Sequence, residues 1–129
     1  MSLVLGLDFG TKHIGIARGY TETRLASSVG IWPNDQNFGA KLAEYVRAEH
    51  VTALVVGLPL NLEGNETAAT AQARQFGQQL ALQLKLPLHF QAETATTVAG
   101  RKRSTKTRVD DEAAVIILED FFNEPIAAS

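Results

Sequence analysis

Residues 3 to 17 read Leu3-Val4-Leu5-Gly6-Leu7-Asp8-Phe9-Gly10-Thr11-Lys12-His13-Ile14-Gly15-Ile16-Ala17. The first seven are almost continuously apolar and stop at a glycine, the pattern of a strand buried on both faces in the middle of a sheet. A single carboxylate, Asp8, interrupts that run near its end. Gly10 and Gly15 bracket a tight connection into a second apolar-polar stretch over 12–18, and residues 25–32 supply a third before Pro33-Asn34 breaks it. Three successive strands joined as a meander follow from this reading.

Beyond the meander the period changes. Phe38, Leu42, Tyr45 and Val46 are spaced along one helical face within 35–50, with Asn34 or Asp35 available as the N-cap. Residues 51–56 form a short β-branched strand that Gly57-Leu58-Pro59 closes, and Gly64-Asn65 marks a further turn. Ala69, Ala73, Phe76, Leu80 and Leu84 predict a helix over 66–85 with a glutamine-rich outer face. Leu88-His89-Phe90 is a last strand leading to Glu93, a short helix is expected near 96–101, and Ala114, Ile117 and Phe121 stripe a final helix over 110–123 that Pro125 ends. The expected order is β-β-β-α-β-α-β-α, an α/β mixed five-stranded sheet flanked by helices.

The 129 residues suffice for one core and are too few for two, so residues 1–129 read as a single domain. Without cysteine there is neither a disulfide framework nor a thiolate metal site. The longest apolar stretch, counting glycine and proline, is Ala53 to Leu60, far short of the roughly 18 residues that span a bilayer. The opening residues lack the basic head of a secretory leader, so a cytoplasmic protein with no membrane partner is expected. The net charge of −2 conceals an asymmetry: Arg101, Lys102, Arg103, Lys106 and Arg108 lie within eight residues of an otherwise acidic chain. Such a segment is either a solvated loop or a local contact for a polyanion.

Three acids stand at element ends: Asp8 closing the first strand, Glu93 after the last, and Asp110 opening the final helix. In an open α/β sheet functional groups gather where the central strands end. Converging carboxylates there suit hard cations such as Mg²⁺ or Mn²⁺, which can bracket the attacking and leaving oxygens of a phosphodiester. Each acid also has a plainer reading: Asp8 as a partner for its own turn, Glu93 as a loop residue, Asp110 as a helix cap. Lys12 and Asn61 are either phosphate contacts or ordinary turn residues, whereas His13, His50 and His89 lack ligand spacing. Trp32 and the Phe121-Phe122 pair read as packing residues.

The segment 7–17 resembles the opening strand and hairpin of the YqgF/RuvX family, described as Holliday junction resolvases and as nucleases maturing the small-subunit ribosomal RNA precursor. Val56-Gly57-Leu58-Pro59-Leu60-Asn61 with Gly64, the segment Glu93 to Thr97, and Val109-Asp110 with Ala113-Ala114 agree with the family in order along the chain. The resemblance implies an RNase H-like fold of the RuvC type. It also implies divalent metal held by Asp8, Glu93 and Asp110, with Asp111 as the register alternative to Asp110. The chain departs from the family at Ala92-Glu93-Thr94, where an acid usually precedes the glutamate and an arginine follows it. The segment between Thr97 and Asp110 is also shorter than usual.

The leading expectation is therefore a metal-dependent endonuclease for structured nucleic acid, either precursor ribosomal RNA or branched DNA. Lys12, Asn61, Arg101, Lys102, Arg103, Lys106 and Arg108 would touch its phosphates. A nucleic-acid-binding module without turnover is the alternative that the altered surroundings of Glu93 motivate. A third reading comes from the likeness of Asp8-Phe9-Gly10-Thr11 to the first phosphate loop of actin-like ATPases, but the chain shows no second such loop. Monomer and homodimer both stay open.

Overall fold

The computed structural model describes residues 2–94 and 112–124. Along the chain run β1 (Leu3–Asp8), β2 (His13–Tyr20), β3 (Leu25–Pro33), α1 (Phe38–Glu49), β4 (Val51–Leu60), α2 (Ala68–Leu84), β5 (Leu88–Thr94) and α3 (Glu112–Asn123). The sheet order is β3-β2-β1-β4-β5, in which β1 to β3 form an antiparallel meander while β4 and β5 lie parallel to β1. This is the expected element order, with the most apolar strand in the centre. The short helix anticipated near 96–101 falls outside the described residues.

Alternation along β1 divides the core. Leu3, Leu5 and Leu7 join Ile14, Ile16, Leu42, Leu54, Val56 and Leu80 beneath α1 and α2, whereas Val4 joins Ala17, Val55, Ala114, Ile117, Leu118 and Phe122 beneath α3. Both sheet faces are therefore covered, which explains why β1 reads as apolar throughout rather than alternating. No helix among the described residues is long and apolar enough to cross a membrane.

Among the boundaries that differ from the sequence reading, two bear on the strand ends. β4 does not stop at Val56 but continues through Gly57 and Pro59 to Leu60. Its pairing with β1 ends at Leu7↔Val56, so Pro59 sits past the last β1 partner, where that side of the strand needs no ladder donor. The fully buried Thr70 of α2 donates its hydroxyl to the Pro59 carbonyl, fixing the strand's end against the helix. Glu93 likewise lies within β5 rather than after it, opposite Pro59.

Candidate active site

Strand parity brings the chemistry to one face. A Cβ placed on Gly6 would lie 2.8 Å from Leu118 Cβ, and one on Gly57 would lie 2.4 Å from Ile117 Cδ1, so Gly6 of β1 and Gly57 of β4 face α3. Asp8 follows Gly6 by one full period on that face. On β5, Phe90 packs with the α1–α2 cluster while His89 stacks on Phe121 of α3 with ring centroids 5.1 Å apart, which sets Gln91 and Glu93 on the α3 side. Register completes the placement. Asp8 pairs with Gly15, Leu7 with Val56, Gly57 with Gln91, and Pro59 with Glu93. Asp8 and Gln91 thus share a level across Gly57, and Glu93 stands one period further along.

All three parallel strands present their C-terminal ends here. The helix α3 enters at the same end and runs antiparallel to them: Ile117 lies over Gly57, Leu118 over Gly6, and Phe122 beside Gly19, which neighbours Val4 in register. Its first residue, Glu112, therefore starts above the strand ends that carry Asp8 and Glu93.

Burial separates the two acids. Asp8 is half-buried, whereas Glu93 is only 6% exposed and is the one charged side chain that is buried among the described residues. A carboxylate removed from water is costly unless charge or hydrogen bonds compensate it. The backbones of β1 and β5 lie about 10 Å apart across the intervening strand. Carboxylate oxygens fit Mg²⁺ or Mn²⁺ rather than a soft metal. Among the described residues no group of three His, Cys, Asp or Glu assembles. Asp110 and Asp111, from which the third acid was expected, lie outside the described residues, as do Arg101, Lys102, Arg103, Lys106 and Arg108.

The turn after Asp8 is tied down by a residue that the sequence suggested for another task. Asn34, a candidate cap for α1, instead donates its Nδ2 to the Gly10 carbonyl at 2.9 Å and its backbone N–H to the Lys12 carbonyl at 2.9 Å. Asp35 accepts from the Asn37 N–H, and α1 begins only at Phe38. Gly10 is required by close approach, because a Cβ there would stand 2.5 Å from the His13 carbonyl oxygen. Lys12 is exposed on this clamped turn, one strand end away from Asp8.

Asn61 is engaged by its own loop. Its Oδ1 accepts the backbone N–H groups of Glu63 at 3.1 Å and Asn65 at 2.8 Å, which is Asx-turn chemistry. The loop presents Leu62, 68% exposed, at the C-terminal end of β4. Sequence reasoning singled out Glu93 but passed over Gln91, which is only 8% exposed. The period-2 relation of His89, Gln91 and Glu93 was the available signal.

The family model described as "RuvX: Holliday junction resolvase" matches residues 2–124. The chain belongs to the RuvX family. A candidate pre-16S rRNA nuclease of Hydrogenovibrio crunogenus is 38% identical over 94% of this chain and 93% of its own length. A protein of the same name from Pseudoalteromonas translucida is 38% identical, with 92% of this chain and 87% of the relative covered. Among solved structures, Thermus thermophilus RuvC in complex with a Holliday junction substrate matches with a TM-score of 0.57 at 16% identity, covering 95% of this chain and 94% of that one. A second solved structure, of Thermus thermophilus RuvC, gives a TM-score of 0.55 at 16% identity, covering 93% of each chain. These structural matches establish the RNase H-like architecture, and the RuvX family is one of nucleases.

Proposed function

We propose that this RuvX chain is a single-domain, cytoplasmic endonuclease that uses Mg²⁺ or Mn²⁺ to hydrolyse phosphodiester bonds in structured nucleic acid, with precursor 16S ribosomal RNA as the favoured substrate and branched DNA as the competing one. The carrying observation is that Asp8 and the buried Glu93 share one sheet face at the strand ends where α3 enters. Asp110, two residues before that helix, is the proposed third acid.

In this reading the carboxylates of Asp8, Glu93 and Asp110 hold the cations. Divalent cations held there would supply activation of water and charge stabilisation for the departing oxygen. The clamped turn keeps Asp8 in place, and Lys12 on that turn draws the phosphate backbone towards it. The Asn61 loop and the basic residues Arg101, Lys102, Arg103, Lys106 and Arg108 supply further backbone contacts, which give affinity rather than sequence choice. A histidine base has no part in this scheme.

The test uses Asp8→Asn, Glu93→Gln and Asp110→Asn proteins with a structured precursor RNA and a four-way DNA junction. Each replacement is expected to keep the fold and to lower Mg²⁺-dependent cleavage by about 100-fold or more. Cleavage at the wild-type rate by all three variants overturns the mechanism. Ala92 and Thr94 beside Glu93 support the second reading, a binding module without turnover. It predicts salt-sensitive binding by the wild-type protein with no cleavage in either metal.

A further inference from the structure

Gln91 is a largely buried amide between the packing of α3 and the acids at the strand ends. It lies on the α3 face of β5, level with Gly57, over which Ile117 packs, and the residue is 92% buried by its 8% exposure. Among the described residues its side chain makes no hydrogen bond. Leucine or methionine would fill the same space without leaving an amide to be satisfied. No hydrogen bond among the described residues accounts for a glutamine here, whereas the neighbouring acid does. Glu93 follows it by one period on the same strand and face, about 6.6 Å along the chain, which is within reach of two long side chains leaning towards each other.

We infer that Gln91 is a positioning residue for Glu93, donating its amide N–H to the Glu93 carboxylate when that carboxylate turns to take a divalent cation. The inference rests on the metal-dependent reading above. Carboxylate ligands are typically held in orientation by hydrogen bonds from neighbouring groups, and loss of such a partner weakens metal affinity about 10- to 100-fold. The departure noted at Ala92 and Thr94 gives the role its context. With an alanine directly before Glu93, Gln91 is the preceding residue of β5 on the same face that carries an amide donor.

The experiment titrates Mn²⁺ into the full chain by calorimetry for the wild type, Gln91→Leu and Gln91→Met, and records the unfolding midpoint of each without metal. Both variants are expected to bind Mn²⁺ about 10-fold more weakly while unfolding at or above the wild-type midpoint. A structural amide would give the reverse, a lower midpoint with unchanged affinity, and that result overturns the inference. Unchanged Mn²⁺ affinity in both variants also overturns it, while leaving the metal-dependent reading intact. A wild-type chain that takes up no Mn²⁺ overturns both.

Discussion

The two faces of the sheet are buried by different means. Beneath α1 and α2 lie leucines, isoleucines and an aromatic series in which Phe9 stacks on Phe76 at 4.7 Å and Trp32 meets Phe38 and Tyr45 edge-on at about 6 Å. Beneath α3 the facing strand positions include Gly6, Gly19 and Gly57, and among the described residues the apolar cluster is smaller. Large side chains contribute burial, each worth roughly 1.5–3 kcal/mol when taken fully from water. Glycines contribute proximity, because they let a helix backbone lie almost on the strands. The first face is thus suited to stability. The second sets the start of α3 close to the strand ends, and it is there that Asp8, Gln91 and Glu93 are found.

Adjacent residues of β1 put this contrast to the test. Leu5 is fully buried under α1 and α2, and Leu5→Ala is expected to cost about 3 kcal/mol by leaving a cavity. Cleavage per folded molecule should stay at the wild-type level. Gly6 faces the other way, and its added methyl would meet Leu118 Cβ at 2.8 Å and the Ala114 carbonyl oxygen at 3.1 Å. Neither atom is the loose end of a side chain, so α3 itself must move. Gly6→Ala should cost about 2 kcal/mol in urea denaturation, less than Leu5→Ala, yet it should weaken Mn²⁺ binding where Leu5→Ala does not. Equal effects of the two variants on Mn²⁺ binding would remove the division of labour between the faces.

Legibility in the sequence followed the same division. The central strand, the meander and the amphipathic helices declare themselves through period and apolar content, which are local properties of the chain. The end of β4 did not. Gly57 and Pro59 are turn-type residues, and only the pairing shows that Gly57 makes room for Ile117 and that Pro59 lies past the last β1 partner. Asp8 and Glu93 could be named from position and family resemblance, but the burial of Glu93 and its alignment with Asp8 depend on strand order and register. Asn34 was misassigned for a related reason. Asparagine before a helix is a good cap, and nothing local indicates that its amide is engaged by Gly10, 24 residues earlier.

That clamp yields an effect of intermediate size. Asn34→Ala removes the Nδ2 bond to the Gly10 carbonyl and keeps the backbone bond to Lys12, so the expected loss is about 1 kcal/mol. The side chain lies at the edge of the fold, and its removal should loosen the turn after Asp8 more than either core. Hydrogen exchange at the Thr11 to His13 amides is the direct readout. It should quicken while the amides of β4 keep their protection, and uniform quickening across the sheet would mean that Asn34 supports the whole fold rather than one turn.

The smallest effect is expected from a glycine on the opposite face. Gly77 of α2 faces the sheet, and a methyl there would come 3.0 Å from Phe90 Cε1 and 3.2 Å from Val56 Cγ2. Both are side-chain atoms, and the Phe90 ring edge can yield by a few tenths of an ångström. Against that crowding stands the helix preference for alanine, about 1 kcal/mol in a helix interior. Gly77→Ala should therefore change stability by no more than about 0.5 kcal/mol in urea denaturation. The same chemical change at Gly6 meets a backbone oxygen and a Cβ instead, which is why one methyl group is expected to be nearly silent under α2 and disruptive under α3. A loss at Gly77 as large as that at Gly6 would show that the α1–α2 face is packed as tightly as the other, and that proximity is not what sets the α3 face apart.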